Sequence, residues 1–283
     1  MRTGDGGQVT HGGEPSGSAA DTVAFMTQPP SFRAEKTDDA QLARLVEVLD
    51  RQAATPGVTR LRAWAQDALA VRPGERALDI GSGTGSEVAA LRAAGADAVG
   101  VEPNAGMRAV AAARHGDHFV DGDALALPFA DASFDVVRCE RVFQHLADPA
   151  GAAREIARVL RPGGRTAVLD SDWATAITHP GDPEVVAAFM GTMLGFSANP
   201  YAARRLPGQL TAAGLRVTDI GSQALIQPGI DTELLAMALG AAIAQGAITE
   251  PQRDRFLEDL RAGEAAGDFH MSVTMFAVIA VRD

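Results

Sequence analysis

Cysteine is almost absent from this chain of 283 residues: Cys139 stands alone, so no disulfide can form within the chain. A single cysteine is typical of proteins from reducing compartments, and we therefore expect a cytoplasmic location. No apolar run approaches the roughly 18 residues that a membrane-spanning helix needs, so no span is expected. The first residues lack the basic stretch and apolar core of a secretory signal, which is consistent with the same location.

Basic charge is also in deficit. The chain has 25 Lys and Arg against 36 Asp and Glu, and its formal net charge is −11 at pH 7. Such a charge repels the phosphate backbone of nucleic acids, so we expect a small-molecule substrate and no nucleic-acid partner. The histidines show no metal-ligand spacing with acids or with the cysteine, and no metal is expected. Composition leaves the oligomeric state open, with a homodimer among the alternatives.

The N-terminal quarter of the chain differs from the rest. Residues 1–22 are rich in small residues without apolar periodicity, and we expect them to be disordered. Helical patterns over 39–52 and 58–69 follow, separated by a Pro-Gly pair. We therefore predict a helical cap over residues 23–70, ahead of the main domain at 71–283.

From residue 71 onward, short apolar runs alternate with helical patterns, which predicts a parallel sheet with helices on both faces. The seven predicted strands cover residues 76–80, 98–102, 118–120, 134–139, 166–170, 215–226 and 271–281. An insertion over 171–205 interrupts the alternation, and we expect it to complete the cap. Ligands of open sheets of this kind lie at the carboxyl ends of the strands.

A glycine-rich loop follows the first predicted strand and leads directly into a helix. Gly81, Gly83 and Gly85 allow close approach of a ligand to the backbone at a helix N-terminus. A dinucleotide fingerprint would need a further glycine where Ser86 stands. Asp79 precedes the loop, and its carboxylate can accept hydrogen bonds from an ammonium group. The loop therefore favours a cationic amino-acid ligand over an anion, although a purely structural turn is the alternative.

Glu102 ends the second predicted strand. A carboxylate at this position can accept hydrogen bonds from both hydroxyls of a ribose. Dinucleotides and other nucleoside ligands share this feature, so Glu102 alone does not distinguish between them. A solvated charge at the end of a strand is the alternative interpretation.

In combination these segments resemble the class I S-adenosylmethionine (SAM)-dependent methyltransferases. The run from Asp79 to Gly85 matches their motif I, D-x-G-x-G-x-G. The segments at residues 134–137 and 160–164 also resemble segments that follow motif I in the same order in the family. The similarity covers about residues 70–175 and is nearest to enzymes of ubiquinone and menaquinone biosynthesis and to natural-product methyltransferases. It implies a Rossmann-like, seven-stranded, mostly parallel α/β sheet with helices on both faces, a helical cap and an antiparallel last strand.

The resemblance also implies SAM as the cofactor. In the family, the acid at the position of Asp123 approaches the adenine amino group, and an N-terminal basic residue such as Arg33 contacts the methionine carboxylate. The cofactor-binding residues that follow from the resemblance are Asp79, Gly81, Ser82, Gly83, Gly85, Glu102, Pro103, Asp123, Ala124, Cys139 and Arg33.

The candidate catalytic residues lie after strands four and five. Similar O-methyltransferases often carry a His-His pair and an Asp there, where this chain has Gln144-His145 and Asp170. Gln144 cannot accept a proton, so His145 is the candidate base and Asp170 the second catalytic candidate. A structural role for His145 is the alternative. The candidate substrate-binding residues are Phe25, Gln144, Asp172, Trp173, Phe189 and Met193.

The predicted reaction is in-line transfer of a methyl group to O, N or C of a small, partly apolar metabolite, either quinone-like or a secondary metabolite. Residues 139–142 occupy the place of the Asp/Asn-Pro-Pro-Tyr motif of enzymes that methylate nucleic-acid amino groups. A nicotinamide-dependent reductase would leave Asp79 unexplained. The remaining alternative is a SAM-binding fold that acts as a non-methylating cyclase or binding protein.

Overall fold

A computed structural model of the chain describes residues 38–283. The predicted disordered tail, Phe25 and Arg33 lie outside the described residues. From residue 38 to the end of the chain, no helix is long and apolar enough to cross a membrane.

Helices and strands alternate through the first half of the described chain. The helices are α1 (Asp39–Ala53), α2 (Pro56–Leu69), α3 (Ser86–Ala93), α4 (Ala105–His115), α5 (Pro149–Val159), α6 (Pro183–Leu194), α7 (Ala202–Ala212), α8 (Thr232–Ala244) and α9 (Glu250–Ala266). The strands are β1 (Arg76–Ile80), β2 (Asp97–Val101), β3 (Phe119–Val120), β4 (Phe134–Glu140), β5 (Leu160–His179), β6 (Arg216–Ile226) and β7 (His270–Val281).

The seven strands form a single sheet in the order β3-β2-β1-β4-β5-β7-β6. Strands β1 to β5 pair in parallel, while β7 lies antiparallel between β5 and β6. The predicted seven-stranded, mostly parallel sheet with a late antiparallel strand is therefore confirmed. The strand order changes direction beside β1, and open sheets bind their ligands at such a point.

Both faces of the sheet are buried along β1 and along most of β7, which explains the nearly continuous apolar runs in these strands. On one face, Leu78 and Val137 belong to a core that includes residues of α5 and α7. On the other face, Ala77 and Val136 share a core with Leu61 and other residues of α2 and with residues of α3. Helix α2, predicted as part of a cap, thus packs directly on the sheet.

A third hydrophobic cluster forms a separate layer from α6, α8 and α9. Phe189 of α6 and Phe256 of α9 lie at its centre, with ring centroids 5.7 Å apart. Trp173 packs against both this cluster and the α2 face of the sheet. The cap predicted from residues 171–205 therefore also includes helices from the last quarter of the chain.

Strand β5 is much longer than the predicted 166–170. Its residues 171–179, predicted to begin an insertion, continue beyond the parallel region and pair with β7 as far as His179. Helix α7 was missed because Pro207 lies within it. Leu206 and Leu210 of this helix are fully buried against the sheet, so packing outweighs the poor helix propensity of proline.

Candidate active site

A cavity of about 510 Å³ opens at the carboxyl ends of the parallel strands. This volume lies within the range of about 300–1,000 Å³ that is typical of small-molecule sites. The loop after β1 and the ends of β2, β3 and β4 form one side, and residues of α1, α2, α6, α8 and the antiparallel part of the sheet contribute to the other sides. The cavity therefore lies where the sheet, the N-terminal helices and the cap meet.

The glycine loop wraps around the end of β2. The backbone amides of Gly81 and Ser82 both donate to the carbonyl oxygen of Val101, at 2.8 and 3.0 Å. Gly81 and Gly83 have φ values of +69° and +50°, a region that glycine adopts without strain. A Cβ on Gly83 would approach only the Leu49 side chain, at 3.1 Å, so this glycine leaves space at the cavity wall.

Glu102 is 6% exposed at the cavity wall. Its two carboxylate oxygens accept hydrogen bonds from the backbone amides of Gly83 and Asn104, at 3.0 and 2.9 Å. Burial raises the pKa of Glu102, and these two amides oppose the rise. Each oxygen keeps a second lone pair, so the carboxylate is fixed in place and can still accept bonds from two ligand hydroxyls.

Asp123, Ala124 and Pro103 lie beside Glu102 in the same wall. The Asp123 carboxylate accepts a hydrogen bond of 2.8 Å from the backbone amide of Leu125, which fixes its orientation. Ala124 is buried among apolar residues and offers a small, flat surface. The arrangement can receive a planar ring that bears a hydrogen-bond donor at its edge.

A buried ionic cluster, which the sequence analysis missed, forms the wall at the end of β4. Arg138 lies 3.0 Å from Glu87, and it also contacts Glu140. Arg62 of α2 lies 2.9 Å from Glu87 and binds Glu140 through two bonds of 2.8 Å. The signal in the sequence was two charged residues, Arg138 and Glu140, in the second half of a buried strand.

Asp79 belongs to the same cluster. Its carboxylate lies 3.5 Å from Arg138, its neighbour across the β1–β4 pair. Burial, together with the negative charges of Glu87 and Glu140, raises the pKa of Asp79 to about 7, although Arg138 opposes the rise. Asp79 lines the cavity as predicted, but it already has a cationic partner within the protein.

Arg141 follows β4 in a left-handed conformation, with φ +56°. This conformation is unfavourable for a residue with a side chain and costs roughly 1–2 kcal/mol. The guanidinium lies in the cavity wall, 3.3 Å from Glu140, and donates to Gln52 of α1. Burial lowers the pKa of Arg141, and the nearby positive charges of Arg62 and Arg138 act in the same direction, although Glu140 opposes the change. The strand end thus directs a cation toward the cavity.

His145 lies in the cavity wall, on a short 3-10 helix over Phe143–His145. Asn199 binds this turn from the loop after α6: its side-chain amide donates to the carbonyl oxygens of Phe143 and Leu146, and its backbone amide donates to that of Gln144 at 2.9 Å. The turn is therefore held firmly from outside, which fixes the backbone that carries the imidazole.

Asp170, predicted as catalytic, does not line the cavity. It is fully buried, and its carboxylate accepts from the backbone amides of Gln144 and Ser171, at 3.0 and 2.8 Å. Burial raises the pKa of Asp170 to about 7, and the two amides oppose that rise. The contacts indicate that Asp170 holds the turn before His145 instead of contacting a ligand.

Two predicted substrate contacts are also placed elsewhere. Asp172 is 1% exposed, forms an ion pair with Arg204 and accepts from the amide of Ala174 at 3.2 Å. Phe189 is fully buried in the core of the cap. Phe189 therefore belongs to the cap, whereas Asp172 links β5 to α7. Gln144, Trp173 and Met193, by contrast, line the cavity.

Cys139 and Gly85, predicted to contact the cofactor, also lie behind the cavity wall. The Cys139 side chain packs in the core on the α5 face, and burial raises the pKa of its thiol. Gly85 has φ +84° and caps α3, and a Cβ on it would lie 2.5 Å from the ring of Phe119. The other residues predicted to bind the cofactor, within the described chain, all line the cavity. They are Asp79, Gly81, Ser82, Gly83, Glu102, Pro103, Asp123 and Ala124.

Comparison with known proteins finds one match to the central part of this chain and one over most of its length. Residues 78–168 match a family described as a methyltransferase domain. A 37.1 kDa protein of transposon Tn4556 from Streptomyces fradiae, described as uncharacterized, is 32% identical over 251 residues, which cover 83% of this chain and 70% of the relative.

Two further proteins share the core. A demethylmenaquinone methyltransferase of Beutenbergia cavernae is 43% identical over 116 residues, 40% of this chain and 48% of the relative. The match therefore spans about half the length of that enzyme. The solved structure of phosphoethanolamine N-methyltransferase 2 from Haemonchus contortus in complex with SAM covers 89% of this chain, with 18% identity and a TM-score of 0.57, and 60% of the solved chain is matched.

These similarities agree with the strand order, the glycine loop and the acid at the end of β2. The family match covers β1 through the parallel part of β5, and the structural similarity extends the fold to most of the chain. This chain belongs to the class I SAM-dependent methyltransferases.

Proposed function

We propose that the protein transfers the methyl group of SAM to a small, uncharged and partly apolar acceptor, of which a quinone-like ring is the leading example. The observation that carries this proposal is the division of the cavity into two halves. The ends of β1, β2 and β4 contribute ionisable side chains, whereas β5, α6 and α8 contribute none to the wall within the described chain.

The ionisable half suits SAM, which combines a ribose, an adenine, an amino-acid group and a positive sulfonium. Glu102 would accept the ribose hydroxyls, and Asp123 with Ala124 would receive the adenine edge and face. The glycine loop would lie against the ligand between these residues and the ionic cluster. Arg141 and Asp79 offer opposite charges to the carboxylate and ammonium of the methionine moiety.

The donor set offers a test of this fit. Glu102 keeps a second lone pair on each carboxylate oxygen, and Asp79 and Arg141 supply both signs of charge in the same wall. The residues present therefore fit the cofactor in charge and in polarity.

The other half of the cavity suits an apolar acceptor. Its wall includes Trp173, Met193, Phe196, Leu234 and Met237. Methionine side chains adapt to irregular apolar shapes, and Trp173 offers a flat aromatic surface. The 43% identity with a demethylmenaquinone methyltransferase covers 40% of this chain. It supports a ring-bearing acceptor by analogy.

Bound SAM supplies an electrophilic methyl group, and the work of the protein is mainly alignment of the acceptor. The cap and Trp173 would exclude water and orient the ring. His145 stands on the rim where the two halves meet and would take the proton from an acceptor hydroxyl or activated carbon. Asn199 and Asp170 hold the backbone on either side of this imidazole.

The proposal is tested by calorimetric titration of the full chain with SAM and, separately, with NAD. We expect saturable binding of SAM and none of NAD. Incubation with SAM and a panel of quinols and phenols, analysed by mass spectrometry, should then yield S-adenosylhomocysteine and a methylated acceptor. Tight NAD binding without SAM binding would overturn the assignment, and SAM binding without transfer would favour the non-methylating alternative.

A further inference from the structure

Gln144 is the residue that departs from the His-His pattern of related enzymes, and its side chain has a defined place in the structure. It is 5% exposed. Its side-chain oxygen accepts a hydrogen bond of 2.8 Å from the indole nitrogen of Trp173. Its side-chain nitrogen faces the carbonyl oxygen of Arg141 at 3.4 Å. Because an indole nitrogen only donates, the amide can satisfy both contacts in one orientation alone.

Trp173 lies where the pairing between β5 and β7 is interrupted. Asp172 pairs with Thr274 and Ile177 with Ser272, so residues 173–176 stand opposite the single residue Val273. Bulges of this kind redirect side chains and are common beside functional sites. Here the bulge brings the indole to the junction of the sheet and the cap, where it lines the cavity.

Hydrogen bonds from Thr175 and from the backbone of Trp173 stabilise the bulge. The Thr175 hydroxyl donates to the carbonyl oxygen of Asp172 at 2.7 Å and accepts from the amide of Thr274 at 2.9 Å. The amide of Trp173 donates to the carbonyl oxygen of Pro200 at 2.8 Å. The backbone of Trp173 is therefore fixed by the bulge and its ring by Gln144, so the indole has little freedom to rotate.

We propose that Trp173 is a specificity-determining residue, against whose ring a planar, uncharged acceptor stacks, and that Gln144 is its positioning residue. This proposal rests on the proposed methyl transfer and names the acceptor class of the same site. A fixed aromatic face recognises a flat ring, and offset stacking typically contributes about 0.5–1.5 kcal/mol beyond the buried area. A charged acceptor would meet only uncharged side chains on this side of the cavity within residues 38–283.

The neutral amide of Gln144 matches the two groups that it contacts. A histidine there could accept from the indole through one ring nitrogen, but it would then place its second nitrogen and a titratable charge in a buried site. The neutral amide provides one acceptor and one donor without that charge. Its substitution should therefore change acceptor recognition rather than cofactor binding.

The chain contains only two tryptophans, Trp64 and Trp173, so protein labelled with 15N-tryptophan gives two indole N–H signals. Trp64 packs over Gly221 of β6 and does not line the cavity, which makes it an internal control. A Trp64→Phe variant assigns the signals. Menadione, a neutral methylnaphthoquinone, is the acceptor probe, and it is titrated into the full chain saturated with S-adenosylhomocysteine.

We expect menadione to shift the Trp173 signal saturably and to leave the Trp64 signal in place. Gln144→Met should move the Trp173 signal in the free protein and weaken menadione binding by about 3- to 10-fold, the range that a misplaced aromatic contact implies. Thermal unfolding and S-adenosylhomocysteine affinity of each variant verify the fold.

An unshifted Trp173 signal, or equal shifts of both signals, would overturn the stacking proposal. Unchanged menadione affinity in a folded Gln144→Met protein would overturn the positioning role. Failure of the wild type to bind S-adenosylhomocysteine would instead contradict the proposed function itself. The two failures are therefore distinguishable.

Discussion

Glu102 is the single residue with the best-defined expected contribution to cofactor binding, because backbone amides already fix both of its oxygens. Hydrogen bonds to charged groups contribute about 1.5–3 kcal/mol. Glu102→Ala should therefore weaken SAM binding by roughly 10- to 100-fold, with a smaller effect on turnover at saturation. Asp131→Ala is the matched control, since this exposed acid pairs with Arg158 and does not line the cavity. Equal SAM affinity in both variants would remove Glu102 from the site.

His145 gives a second prediction for a single residue. His145→Ala should lower turnover by about 10²–10⁴-fold if the imidazole takes the acceptor proton, while SAM affinity stays nearly constant. Wild-type turnover should rise with pH as the imidazole loses its proton, because only the neutral ring can accept one. A variant with full turnover and an unchanged pH profile would make His145 structural. Steady-state kinetics between pH 5.5 and about 8.5 cover the relevant range.

At the scale of elements, the glycine loop gives a prediction that separates binding from folding. A Cβ on Gly83 meets only the end of the flexible Leu49 side chain, whereas a Cβ on Gly81 would lie 2.4 Å from Val142. Gly83→Val should therefore abolish SAM binding in a folded protein, with some loss of stability from its positive φ. Gly81→Val should reduce thermal stability further, because the clash lies in the packed base of the loop. Retained SAM affinity in Gly83→Val would show that the ligand does not lie against this loop.

The elements also show what the sequence can and cannot predict. Strand β1 and helices α1 and α2 were predicted within two residues, because their apolar periodicity and end signals are local. The extension of β5 was not predicted, since residues 171–179 are stabilised by pairing with β7, which lies about a hundred positions later. The ionic cluster depends on similar long-range contacts: Arg62, Glu87 and Glu140 meet only once α2, α3 and β4 have packed. Local patterns contain no information about such partners.

At the scale of the whole molecule, the buried acids predict how stability depends on pH. The pKa of Asp79 is raised to about 7, so the folded state holds this proton more tightly than the unfolded state, where the pKa is near 3.8. Stability should consequently fall as pH rises from about 4 to about 7 through this group. Asp170 contributes in the same direction, with its pKa also raised to about 7.

Asp79→Asn should therefore flatten this decline without removing it, as Asp170 remains. Glu140 has the opposite effect: its arginine partners hold its pKa well below the ordinary value, so its contribution is lost as the solution becomes strongly acidic. Thermal unfolding of wild type and Asp79→Asn between pH 5 and about 8 measures the difference. Parallel curves for the two proteins would contradict the raised pKa of Asp79.

The central claim is that the whole molecule transfers a methyl group from SAM to an uncharged acceptor bound beneath the cap. The most direct measurement is mass spectrometry of reactions that contain the full chain, SAM with a deuterated methyl group, and a panel of neutral quinols matched with carboxylated analogues. We predict S-adenosylhomocysteine and an equal amount of an acceptor that carries the deuterated methyl group, with the neutral compounds preferred. Binding of SAM without labelled product from any acceptor, or transfer only to the charged analogues, would contradict the account.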